Sequence, residues 1–148
     1  MLVESVLAKK GHEVLTISPD TTVYEALVLM AKDNVGCVLV MVEDQITGIF
    51  SERDYARKII IKGKSSKETL VSEVMTTEVC VVDKGKTLEE CMAVMTAKRV
   101  RHLPVVEGDK LIGIISIGDA VKGVIDENEH EIEHLIEHIR GGVIPPGK

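Results

Sequence analysis

The sequence predicts an α/β (α+β) protein: two β-α-β-β-α units forming a pseudo-two-fold pair, with a C-terminal helix. Three observations predict it. The heptad Gly48-Ile49-Phe50-Ser51-Glu52-Arg53-Asp54 returns as Gly113-Ile114-Ile115-Ser116-Ile117-Gly118-Asp119, and every shared position is displaced by one constant offset (48 to 113, 51 to 116, 54 to 119). Carried outward without a gap, that register matches Val14 to Val79, Thr22 to Thr87, Glu25 to Glu90, Met30 to Met95 and Val40 to Val105. The order of apolar runs, turn residues and helical spacing is also the same in both copies, which marks a duplicated supersecondary unit.

Taken in order, Val3 to Lys10 reads as a short helix leading to Gly11, and Val14 to Ile17 as a brief strand ended by Ser18-Pro19-Asp20. Thr22-Val23-Tyr24-Glu25 has the form of a capping box, Thr at the N-cap and Glu three residues on. Ala26, Leu27, Met30 and Ala31 fall on one face of the helix it opens. Val38 to Val42 is almost wholly apolar, as a buried strand requires, and Glu43-Asp44-Gln45 turns it into the strand Ile46 to Phe50. Ser51 opens a second helix that fades at Gly63. The polar stretch Lys64 to Glu73 connects the copies and turns helical towards Met75.

The second copy repeats the order. A strand spans Val79 to Val82, and Thr87-Leu88-Glu89-Glu90 is again a capping box. The helix behind it carries Cys91, Val94, Met95 and Lys98. Strand Leu103 to Val106, turn Glu107-Gly108-Asp109, strand Leu111 to Ile115 and helix Ser116 to Ile125 complete the unit. The repeats therefore span 3–63 and 77–125, joined by 64–76, with 126–148 as a C-terminal helix and loose tail. In that tail Ile132, Leu135, Ile136 and Ile139 form an apolar stripe at helical spacing, suited to a partner subunit or the domain surface. His130, His134 and His138 recur at i, i+4 and i+8 on the opposite face. Such spacing can bind zinc, but no cysteine accompanies it and the flanking glutamates suit a solvated face, so no metal is expected.

Composition bounds the function. The 148 residues are 45% hydrophobic but only 2% aromatic, so the core must be aliphatic. A half-chain of about 60 residues buries too little surface to be secure alone, so the repeats should fold together. The net charge of −6 and the lack of a base-stacking platform argue against binding a nucleic-acid polymer. Cys37, Cys80 and Cys91 are odd in number and lack CxxC spacing, which suits small buried hydrophobes in a reducing cytoplasm. With no signal peptide and no 18-residue apolar run, the expectation is a soluble, cytoplasmic protein with no membrane partner.

Two readings fit the shared heptad. A Ser at the N-cap with Asp three residues on is a helix cap worth about 1 kcal/mol. The same helix N-terminus with a hydroxyl is also a ready anion site, beside a carboxylate able to accept ribose hydroxyls. Gly-hydrophobic-x-Ser/Thr-x-x-Asp closing each of two such repeats resembles a CBS-domain pair, or Bateman module, from about Val3 to about Gly123. The resemblance implies binding of an adenosine-containing ligand such as AMP, ATP, NAD or S-adenosylmethionine. It gives Asp54 and Asp119 the ribose, and Ser51 and Ser116 a place near phosphate.

By the same resemblance Arg101 and His102, in Arg101-His102-Leu103-Pro104, contact phosphates. Repeat 1 has no basic residue there, though Arg53 lies within its own heptad, so the Asp119 site is expected to lead for a phosphorylated nucleotide. The resemblance also implicates Thr16, Ile17 and Ser18 near one site, and Thr77, Val79 and Cys80 near the other, reading the purine edge through backbone groups. No Ser/His/Asp set, metal cluster or Walker lysine points to catalysis. The expected function is a non-enzymatic, homodimeric sensor of an adenine nucleotide, acting on an unidentified regulated protein. Its alternatives are a scaffold with unoccupied pockets or a regulatory subunit of some enzyme or transporter.

Overall fold

A computed structural model describes residues 1–129 and orders them as two copies of one motif. Helix α1 (Val3–Lys10) comes first. In repeat 1, β1 (Thr16–Ile17) runs parallel to β2 (Cys37–Val42), which pairs antiparallel with β3 (Gln45–Ser51). In repeat 2, β4 (Val82–Asp83), β5 (His102–Glu107) and β6 (Lys110–Ser116) pair in the same senses. Even the β-bulge is duplicated: the ladder slips between Val40 and Met41, and again between Val105 and Val106.

The helices that cross over these sheets are α2 (Val23–Asp33) and α5 (Leu88–Lys98). Thr22 caps α2 with the full reciprocal box, its hydroxyl accepting from the Glu25 N–H at 3.1 Å. The second box forms only by half. Thr87 accepts from the Glu90 N–H, but the Glu90 carboxylate takes the Thr87 hydroxyl instead of its amide, and its other oxygen lies 3.5 Å from Lys86. The strand expected at Val79–Val82 is shifted to Val82–Asp83, because Val79 and Cys80 line a cavity outside the ladder.

Helix α3 (Glu52–Asp54) passes directly into a π-helical turn, Tyr55–Ile60, before α4 (Val71–Val74). The wider bonds are explicit, with Ile61 N–H to Ala56 C=O at 3.2 Å and Lys64 N–H to Ile59 C=O at 3.0 Å. Its counterpart α6 (Ile117–Glu127) is regular α-helix. The helix expected over Asp126 to Arg140 and its three histidines lie mostly or wholly outside the described residues.

Two cores result: that of the first sheet is completed by α4 of the connecting segment, and that of the second by α1 at the start of residues 3–63. Ile17, Val23, Ala26, Met30, Val38, Val40, Phe50 and Ile59 pack with Val71 and Val74 of α4. Val82, Leu88, Cys91, Met95, Leu103, Val105 and Ile115 pack with Val3, Val6 and Leu7 of α1. Phe50 is the one fully buried aromatic in an otherwise aliphatic interior.

The motif glycines make room for these helices. A Cβ on Gly48 would run into the Met75 side chain, and one on Gly113 would come within 2.7 Å of Leu7. Matching backbone bridges, Leu2 with Thr87 and Leu70 with Thr22, seat the two helices alike. Leu7 and Val71 are fully buried, each worth about 1.5–3 kcal/mol on transfer from water.

Candidate functional site

Both heptads form the cap that their residue types dictate. In repeat 1 the Asp54 N–H donates to Ser51 Oγ at 3.2 Å, and the Ser51 N–H donates to Asp54 Oδ2 at 3.0 Å. Ser116 and Asp119 repeat this at 3.1 and 2.8 Å. The aspartates differ in what else they hold. Asp54 Oδ2 also accepts the Ser51 hydroxyl at 3.1 Å. Asp54 Oδ1 accepts from Thr76 Oγ1 at 3.2 Å and lies 3.1 Å from the Lys58 ammonium. A carboxylate offers about four acceptor positions, so all of Asp54's are engaged. Asp119 holds Lys10 of α1 instead, at 2.6 Å.

A cavity of about 570 Å³ opens beside Asp54. Repeat 1 contributes Gly36, Ser51, Arg53, Asp54 and Arg57 to its wall; repeat 2 and the connection contribute Thr76, Val79, Cys80, Arg99, Arg101 and His102. The cleft is therefore built across the pair. His102 enters it through strand register, facing Ser116 on β6 while its ring lies against Gly36. Burial, together with the charge of Lys10, holds the imidazole below its ordinary value of 6.5 despite Asp119 and Glu52. Cys37 occupies the corresponding place in repeat 1, where burial pushes its thiol up to about 12. It is thus a packed, unreactive thiol.

This geometry regroups the residues singled out in the sequence. Arg101 and His102 line the cleft beside Asp54 of the other repeat, while His102 also pairs in register with Ser116 and lies near enough to Asp119 to feel its charge. Val79 and Cys80 join them, whereas Thr77 lies outside the cavity wall and its neighbour Thr76 reaches the aspartate. Thr16, Ile17 and Ser18 do not line this cavity: Thr16 and Ile17 form β1, Ile17 is in the core, and Ser18 faces Thr21. Ser116 and Asp119 remain together at the start of α6, closed over by Lys10.

A sequence model of the CBS domain matches residues 3–61 and 71–139. The chain belongs to the CBS-domain family. It is similar to the CBS domain-containing protein CBSX3, mitochondrial, of Arabidopsis thaliana, at 39% identity over 95% of this chain and 72% of that one. It also resembles the CBS domain-containing protein YhcV of Bacillus subtilis, at 36% identity over 85% of this chain and 90% of that one. Among solved structures, the CBS domain NE2398 shares 47% identity at a TM-score of 0.81, covering 84% of this chain and 98% of that one. The fold extends to the CBS domain protein PAE2072 of Pyrobaculum aerophilum, solved in complex with AMP, at 19% identity and a TM-score of 0.71 over 80% of this chain and 89% of that one.

Within this CBS pair, sequence reasoning missed Arg57, Lys58, Thr76, Arg99 and Lys10. Arg99 had a signal, since the repeat offset carries Asn34 onto it, in a turn that suits asparagine. Lys10 had none, because its partner Asp119 lies at the far end of the chain. Among the described residues no group of three or more His, Cys, Asp or Glu is placed to hold a metal, and no helix is long and apolar enough to cross a membrane.

Proposed function

We propose that this CBS pair is a non-enzymatic regulatory module that binds an adenosine-containing ligand in the cleft beside Asp54. One observation carries the reading: Ser51 and Asp54 of one repeat and Val79, Cys80, Arg101 and His102 of the other converge on one cavity of about 570 Å³. That volume lies in the range of small-molecule sites. Its wall offers a carboxylate for ribose hydroxyls, apolar side chains for a purine face and basic groups for phosphate. The AMP complex of PAE2072 supports the choice of ligand class, because that protein shares the fold. AMP, ATP, NAD and S-adenosylmethionine are the candidates, and Lys58 or Thr76 must yield on Asp54 when ribose enters.

The module acts as a cytoplasmic homodimer that passes ligand occupancy to a regulated protein. Support for self-association comes from Ile117, Val121 and Ile125, an exposed apolar row along α6. A second reading, a scaffold with unoccupied clefts, is favoured by the full engagement of Asp54 with its own chain.

Mass spectrometry of small molecules released by denaturing the purified protein separates the two, with an adenosine compound expected. Calorimetry on Asp54→Ala then tests the site. Removing charge-assisted bonds to ribose should weaken binding about 10-fold or more. A variant that melts earlier yet binds as the parent does would leave the heptad as a cap alone.

A further inference from the structure

The Asp54 cleft carries more cationic forks than one phosphate can use. Arg53, Arg57, Arg99 and Arg101 all line it, and among the described residues none of them forms an ion pair. Of the acidic residues in the same wall, Glu52, Asp54 and Glu78, Asp54 is already neutralised by Lys58.

Arg99 is the telling member. It ends α5 in the left-handed region, φ 55° and ψ 43°, where Asn34 ends α2 at φ 53° and ψ 49°. The same backbone bond closes both turns, Val35 N–H to Met30 C=O and Val100 N–H to Met95 C=O, each 3.0 Å. Asparagine tolerates that conformation and a long side chain is disfavoured in it. The turn therefore does not explain the arginine; its position on the cleft wall does. Arg53 fastens the turn from the other repeat, its Nη1 donating to the Arg99 carbonyl at 3.0 Å.

We propose that this cleft selects ligands with a chain of two or more phosphates, and that Arg99 is the specificity-determining residue for the phosphates beyond the first. The proposal rests on the adenosine reading above and deepens it. A guanidinium grips two oxygens of one phosphate, so Arg101 with His102 suffices for a monophosphate, and the forks of Arg57 and Arg99 are left for further phosphates. With a monophosphate, Arg57 and Arg99 would stay unpaired in the same wall at a cost in repulsion.

The test is calorimetry with adenosine, AMP, ADP and ATP in EDTA, on the parent, Arg99→Asn and Arg99→Lys. Arg99→Asn puts the repeat 1 residue into the same turn, so the unliganded variant should melt no lower than the parent. The parent should bind ATP and ADP at least about 10-fold more tightly than AMP. Arg99→Asn should lose about 10-fold or more for ATP while adenosine is unchanged, and Arg99→Lys should recover part of it. AMP binding as tightly as ATP, or an Arg99→Asn protein that keeps the parent's ATP affinity, overturns the proposal and leaves the adenosine reading intact. Failure of all four compounds to bind overturns both.

Discussion

The ammonium of Lys10 lies 2.6 Å from Asp119 Oδ2 and 2.8 Å from the Ile114 carbonyl oxygen, so a residue of the first helix occupies the carboxylate that closes the second repeat. Burial alone would push the Asp119 carboxyl up; Lys10 and the Ser116 amide outweigh it and hold it below its ordinary 3.8. A depressed folded-state value means that this pair stabilises the protein above pH 3.8 and stops doing so as the pH falls through the lower, folded value. Lys10→Met should therefore cost about 1 kcal/mol or less at pH 7, the contact being partly solvated, and less still near pH 2. Urea denaturation at both pH values measures it; an equal cost at each would show that Lys10 acts through packing alone.

The closure of Lys10 over Asp119, set against the open cavity beside Asp54, bears on stoichiometry. The parent is expected to bind one adenosine ligand per chain, at the Asp54 cleft. Two equivalent sites by calorimetry would mean that Lys10 leaves Asp119 readily.

Gly113 and Leu7 should behave as one unit. Gly113→Ala forces a Cβ to within 2.7 Å of Leu7 and should cost about 1–3 kcal/mol by overpacking. Leu7→Ala should cost about 2–5 kcal/mol through the cavity it leaves. The double variant should be more stable than the sum of the single losses implies, because Leu7→Ala vacates the space that the new methyl enters. Strict additivity in a denaturation cycle would contradict the packing of α1 on the second repeat.

His102 gives the fold a second acid response. Its folded-state value lies below 6.5, so the unfolded chain binds the extra proton first, and stability declines as the pH drops below 6.5 until the folded form also titrates. The charges around the ring are Lys10 and Arg101, which oppose protonation, and Asp119 and Glu52, which favour it. His102→Gln should flatten the dependence of the urea midpoint between pH 7 and pH 5. An unchanged slope would place its origin elsewhere.

Val121 sits mid-way along the exposed row on α6, 44% accessible. Val121→Glu should leave the melting of the single chain nearly unchanged and convert a dimer to particles of single-chain mass in light scattering. A parent that already scatters as a single chain at micromolar concentration would remove the dimer from the proposed function.

What could be read from the chain depended on how far apart the interacting residues lie. The Ser51–Asp54 and Ser116–Asp119 caps are local, and spacing alone reveals them. The strands and crossover helices follow from periodicity, whereas the bulge that both ladders share left no mark in the spacing. The meeting of Arg101 and Asp54 in one cleft was not legible, because the cleft draws its wall from both repeats. Thr76 and Thr77 are indistinguishable by composition; only the course of the chain into the bridge with Ile49 puts the former on Asp54. The constant offset carries Val79 and Cys80 back to Val14 and Leu15, not to Thr16–Ser18.

The placing of α1 and α4 bears on the order in which the protein can be made. The first core is complete in sequence once Met75 has emerged from the ribosome, since α4 follows soon after the strands it covers. Helix α1 precedes both sheets in the chain, yet the core it completes includes Ile115 and Ala120 near the end of repeat 2. Such long sequence separations slow folding. Helix α1 is therefore expected to be the last element to settle, with its apolar face of Val3, Val6 and Leu7 uncovered until repeat 2 has been made.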